Sequence, residues 1–143
     1  YAASQAGVGV DLWVRGICTV KAGVPGLSEN IRVRSILGRF LEHSRLFWFA
    51  NGGQPRVGLG STDLMHRNLD RRVEVLVSIT NPRHIGQIEE WFDMAFDEGT
   101  ASWWLEPDGW TQRTADAAGE PLLDMQEALI QAVSARRTPE RSA

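Results

Sequence analysis

Short apolar runs alternate along the chain with polar, turn-forming stretches. The valine-rich run VGVDLWV (8–14) predicts a strand that ends at Arg15-Gly16, where the backbone can turn. Two glycines and a proline make KAGVPGLS (21–28) a loop. Ser28 then caps an expected helix running to about His43, with Ile31, Ser35, Ile36, Phe40 and Leu41 near one face and Arg32, Arg39 and Glu42 largely off it. LFWFA (46–50) reads as a buried strand, NGGQP (51–55) as a turn, RVGLGS (56–61) as a second short strand and VEVLVSI (73–79) as a third. Asn81 followed by Pro82 marks a helix start, cap and first-turn proline, for a helix through about Phe96. ASWWLEPDGWTQR (101–113) predicts a hairpin turning at Pro107-Asp108-Gly109. A last helix begins near Pro121 and carries Leu122, Met125, Leu129 and Val133 before the polar stretch RRTPERSA. Strands interleaved with helices predict an α/β unit with crossover topology.

Length and composition narrow the class. At 143 residues and 43% hydrophobic content, residues 1–143 are expected to form a single domain with a core of its own. The chain opens on Tyr1, and YAASQAGV resembles the end of a helix running into a strand, so it reads as a piece of a longer polypeptide. No apolar run approaches the roughly 20 residues of a membrane span, and a cytoplasmic setting is expected. One cysteine, Cys18, excludes an internal disulfide and a cysteine-based zinc site, and is expected to be a small apolar packing residue.

The net charge of -3 conceals a division. From Asp11 to Arg72 ten basic residues face five acids, while from Val73 onward five basic residues face thirteen acids. The front half suits an anion and the back half an acidic helical surface. Fourteen of the fifteen basic residues are arginine, whose planar fork matches phosphate oxygens in pairs, although a codon bias toward arginine gives the same composition.

Candidate chemistry centres on His43. With Arg45 two residues on and Gly60-Ser61-Thr62-Asp63 after the next strand, it forms a degenerate echo of the phospholipase D superfamily pattern, in which a His and a Lys two apart precede an Asp and a Gly-Ser-x-Asn follows. There the histidine is a nucleophile or general acid at phosphorus, the cation neutralises equatorial oxygens, and Ser and Asn donate hydrogen bonds. Here Arg45 replaces the Lys, Ala50 or Asn51 stands where the Asp would be, and Asp63 replaces the Asn.

A longer resemblance is more specific. DLWVRGIC (11–18), GLSENIRVRSILGRFLEHSR (26–45), FANGG (49–53), GSTDLMHRNLDRRVEVLVSI (60–79) and LLDMQEALIQ (122–131) closely resemble the C-terminal part of bacterial polyphosphate kinase of the histidine-phosphorylating type, from Ala2 to about Val133. That family's two phospholipase-D-like domains close around a phosphate tunnel, and this chain resembles the second. The resemblance implies a phospholipase-D-like α/β fold, a mixed or parallel sheet flanked by helices with a C-terminal hairpin and helix. It casts Arg15 and His43 as ATP-phosphate contacts, Arg72 as a further basic wall of the pocket, and His43 also as a catalytic general acid, since an imidazole titrates near neutrality. Arg45, Ser61, Asp63, Arg67 and Asn68 are supporting positions. Thr62 and Leu64 depart from the family's usual Ser-Ser-Ala-Asp-Trp-Met run.

The implied reaction moves a phosphoryl group from ATP to a histidine in the preceding domain and on to inorganic polyphosphate, reversibly. Mg2+ contacts are expected upstream, with no metal site in this chain. Expected partners are ATP or ADP, polyphosphate, the other domains of the parent and a second copy of it, with peripheral membrane association of the parent also open and no nucleic acid. Two other readings stand beside it: half of a phospholipase-D-like hydrolase or nuclease, and a non-catalytic polyanion-binding or oligomerisation module. Each residue also has a plainer role. His43 would be a cation at a helix C-terminus, Arg72 a partner of Asp70 or Glu74, and Ser61 and Asp63 turn formers. His66 and His84 would be surface or capping residues, and the tryptophans packing groups.

Overall fold

Residues 1–36 and 38–137 are described by the computed structural model, and they fall into two compact units: Tyr1–Glu42 with Met94–Ala143, and His43–Asp93. The first unit begins with a single helical turn, α1 (Ala2–Gln5), followed by β1 (Val10–Trp13) and β2 (Ile31–Ser35). These two strands run parallel, Val10 opposite Ile31 and Trp13 opposite Arg34. A hairpin of β6 (Ser102–Glu106) and β7 (Gly109–Arg113) extends the sheet antiparallel to β2, giving the order β1-β2-β6-β7. Ala22, Ile31 and Val33 form the buried centre, packed against Val10, Leu12, Val14, Cys18, Val20 and Leu105. Cys18 thus has the packing role its surroundings predicted.

In the second unit, β3 (Leu46–Phe49), β4 (Arg56–Gly60) and β5 (Leu76–Ile79) form an antiparallel sheet in that order, joined by a turn over Asn51–Gly53 and by a short helix α2 (His66–Arg71). Register places Leu46, Leu59 and Val77 opposite one another, and likewise Trp48, Val57 and Ile79, so one face carries six apolar side chains. At Gly60 the backbone of the neighbouring strand passes close: a Cβ there would lie 2.9 Å from the carbonyl oxygen of Val75. The boundary between the units falls inside α3 (Pro82–Phe96). That helix starts as its sequence predicts, with the Asn81 side chain accepting the Arg83 N–H at 3.0 Å and Pro82 in the first turn. The last helix, α4 (Met125–Arg137), begins four residues later than Pro121, where Asp124 accepts the N–H of Glu127 at 3.0 Å.

One predicted element is replaced. In place of a helix from Ser28 to His43 the chain forms β2 and an irregular segment over 38–43; Leu37, inside that range, lies outside the described residues. Ile31 and Val33 are buried and Arg32 between them is exposed, a period of two that the helical reading overrode. β-branched side chains suit a pairing with β1, and Gly38 weakens any helix through this stretch. Ser28, fully buried, accepts the Val24 N–H at 3.1 Å and so closes a turn instead of capping a helix. LFWFA is also less buried than expected, with Phe49 exposed, and VEVLVSI pairs only from Leu76.

Arg34 anchors the first unit. Its guanidinium donates to the carbonyls of Asp97 at 2.6 Å and Ala95 at 3.4 Å, and stacks 3.8 Å from the centre of the Trp104 ring. Arg113 lies 3.5 Å from the same ring. Burial, then the charges of Arg32 and Arg113, lower its pKa from the ordinary arginine value, partly offset by Glu98 and Asp11.

Candidate functional site

In the second unit the sequence-predicted residues converge on one polar network. His43 and Arg45 lie just before β3, Ser61 and Asp63 just after β4, and Arg67 and Asn68 on α2. The Arg45 side chain folds back so that one terminal nitrogen sits 2.6 Å from His43 Nδ1 and 3.2 Å from the His43 carbonyl oxygen. Its Nε donates to Asp63 Oδ1 at 3.0 Å, both side chains being only 19% exposed. Arg67, one turn beyond Asp63, lies 3.8 Å from the other carboxylate oxygen and donates to Asn68 Oδ1 at 3.3 Å. Buried Asn68 donates in turn to Glu74 at 2.7 Å, and the second Glu74 oxygen accepts from Ser61 Oγ at 2.5 Å. Ser61 closes the circuit by accepting the N–H of Val75 at 3.1 Å.

The chemistry follows from donor and acceptor inventories. A guanidinium only donates, so Nδ1 of His43 accepts and the ring proton sits on Nε2. His43, exposed at the surface of its unit, therefore presents an N–H donor outward and keeps its lone pair on Arg45. Such a ring suits holding an anionic oxygen; a nucleophile needs the opposite tautomer. Ser61, Asn68, Arg72 and Arg45, in decreasing order of effect, stabilise the charged form of Glu74, and its carboxyl is held below the ordinary glutamate range against a smaller opposing effect of desolvation.

Arg72 caps the C-terminus of α2, exposed, with its charge felt at Glu74. Its plainer role beside Glu74 thus has support, while His66 pairs with Asp70 one turn along α2. His43 as a helix C-terminal cation is excluded, because residues 38–45 are not helical. Ser61 and Asp63 do more than turn: both hold neighbouring side chains.

Arg15 belongs to the first unit. Half-buried two residues beyond β1, it donates to the carbonyl oxygen of Glu42 at 3.0 Å. Around it opens a depression of about 290 Å³ lined by Ile36, Arg39, Phe40, Leu41 and Glu42, two guanidinium groups over an apolar floor. Sequence reasoning offers Glu74 only as a partner of Arg72 and misses its bonds to Ser61 and Asn68; it misses Gln126 altogether. The signal for those bonds was an acid between two valines; for Gln126, an amide directly after Met125 where α4 opens.

Residues 1–126 match the family described as "Polyphosphate kinase C-terminal domain 2". Polyphosphate kinase from Streptomyces coelicolor is 62% identical over 96% of this chain and 18% of its own length. Polyphosphate kinase 1 from Chlorobaculum tepidum is 46% identical over 99% of this chain and 19% of its own length. The crystal structure of polyphosphate kinase from Porphyromonas gingivalis superposes with a TM-score of 0.83 at 30% identity, covering 94% of this chain and 20% of that one. The mixed α/β architecture with its hairpin and final helix is thus the fold of a polyphosphate kinase domain. This chain spans about a fifth of the length of the relatives it matches.

Proposed function

Because the chain belongs to the polyphosphate kinase family, matching its C-terminal domain 2, we propose that it supplies the phosphate-holding half of a phosphotransferase acting between ATP and inorganic polyphosphate. The γ-phosphoryl group of ATP passes to a histidine of the preceding domain, with ADP leaving, and then to the terminal oxygen of polyphosphate; both steps reverse. Charge in such a transfer spreads over three equatorial oxygens, so donors fixed in advance do most of the stabilising. Arg15, His43 and Arg72 supply those donors.

The observation that carries this reading is the orientation of His43. Arg45 occupies Nδ1, so Nε2 offers its proton to a phosphate oxygen. In the alternative hydrolase reading this histidine would attack phosphorus, and its attacking nitrogen would have to be unprotonated. Arg45 in turn is held by Asp63, so the ring is oriented before substrate arrives. With Nδ1 engaged by Arg45 the ring is neutral, so Nε2 serves as a hydrogen-bond donor; a general acid would need the doubly protonated ring, which this geometry does not offer.

The two acids at the candidate site are already engaged and do not fit a magnesium site. Asp63 faces Arg45 and Arg67, Glu74 is engaged by Ser61 and Asn68, and among the described residues no three His, Cys, Asp or Glu side chains gather. Magnesium and the phosphorylated histidine are assigned to other parts of the parent protein.

His43→Ala and Arg15→Ala in the full-length enzyme test the proposal. Each is expected to lower kcat/KM for polyphosphate synthesis about 10²- to 10³-fold, the usual loss on deleting one donor to a transferring group. Unchanged kinetics in both variants would overturn it.

A further inference from the structure

Gln126 is 94% buried in the first turn of α4, and its amide reaches back 86 residues to the irregular segment that follows β2. Oε1 accepts the N–H of Phe40 at 2.9 Å; Nε2 donates to the carbonyl of Phe40 at 2.8 Å and to Glu42 Oε1 at 2.6 Å. One side chain thus satisfies both backbone groups of Phe40, a residue with no strand neighbour, and holds the Glu42 carboxylate as well. The carbonyl of that same Glu42 receives Arg15. Gly38 is part of the fit, since a Cβ at that position would run into the Gln126 amide.

We propose that Gln126 is a positioning residue for the phosphate site: it fixes the 38–42 segment and, through Glu42, the guanidinium of Arg15. The proposal rests on the reading of Arg15 as a phosphate contact. Only an amide meets the demands of this place. Glutamate keeps the acceptor for Phe40 N–H but loses both donors and sets a carboxylate against Glu42; leucine loses all three bonds and leaves the Phe40 backbone groups without partners. The depression beside Arg15 is lined by Phe40, Leu41 and Glu42, so loosening this segment moves the apolar floor and the cation together.

A double-mutant cycle in the full-length enzyme separates positioning from simple attachment of α4. Gln126→Glu is expected to raise KM for ATP about tenfold, with kcat changed less, and to add little once Arg15→Ala is present. Glu42→Gln should restore part of the loss in the Gln126→Glu background, because the exchanged amide can donate back. If Gln126→Glu fails to fold, Gly38→Ala takes its place in the cycle, with the same KM direction expected. An effect that multiplies independently of Arg15→Ala overturns the inference while leaving Arg15 a phosphate contact. Unchanged kinetics in Arg15→Ala alone sinks the functional reading beneath it.

Discussion

The two units hold their candidate phosphate groups by different physics. In the first, Arg15 is fixed by a backbone carbonyl, and the segment bearing that carbonyl is fixed by a glutamine amide. In the second, His43 is fixed by a cation, itself fixed by an anion, in a run of charges from Arg45 through Asp63 to Arg67. Contacts among dipoles and backbone depend on shape and respond little to salt; a run of charges that is partly open to solvent responds to it. Arg34 extends the contrast, because it is a charge held by neutral partners: two carbonyls and the Trp104 face.

Removing Arg34 is expected to have the largest effect on stability. Arg34→Met deletes two charge-assisted hydrogen bonds, leaves the Ala95 and Asp97 carbonyls short of a partner and unstacks Trp104, a loss of about 3 kcal/mol. Urea denaturation followed by tryptophan fluorescence measures it, and the loss should be nearly the same at low and high salt. A strong salt dependence would erase the distinction between the units.

Asp63→Asn should cost less, about 1–2 kcal/mol, because the Arg45–Asp63 pair keeps some solvent access and screening discounts its energy. Here the loss should shrink as salt rises, the reverse of the Arg34 result. In the parent enzyme the same change should also lower affinity for ATP, since Arg45 loses the anchor that aims His43. Equal losses at all salt concentrations would mean that the charges of the second unit act only by packing.

Much of the fold was visible in the sequence, though its division into two units was not, and the failures have physical causes. The helix start at Asn81-Pro82, the hairpin at Pro107-Asp108-Gly109 and the strand over Val10–Trp13 follow from local signals that no tertiary contact opposes. Residues 28–43 were misread because Ile31, Ser35 and Ile36 satisfy a helical period, while the alternation of Ile31, Arg32 and Val33 wins only once β1 offers a parallel edge. α2 escaped notice because six residues with one leucine make no periodic pattern. His43, Arg45 and Asp63 were legible from spacing and resemblance. Other contacts were not: Glu74 was legible only beside Arg72, while its bonds to Ser61 and Asn68, like those of Gln126 to Phe40 and Glu42, are made by folding and leave no sign in the sequence.

The smallest effect is expected at Glu74, where pH separates the alternatives. Its carboxyl is held below the ordinary glutamate range, first by Ser61, then by Asn68 and by the charges of Arg72 and Arg45. A depressed carboxyl stabilises the folded chain while it is ionised, so its contribution is complete above the unfolded value of about 4.3 and is lost as pH falls through the lower folded value. Glu74→Gln keeps the shape but cannot ionise. The variant should therefore be slightly less stable than the parent sequence at pH 7, and the two denaturation curves should converge as pH drops below about 4. Convergence would tie the second unit's network to the charge of Glu74. A gap that persists into acid would assign Glu74 to neutral hydrogen bonding, and the second unit would then resemble the first.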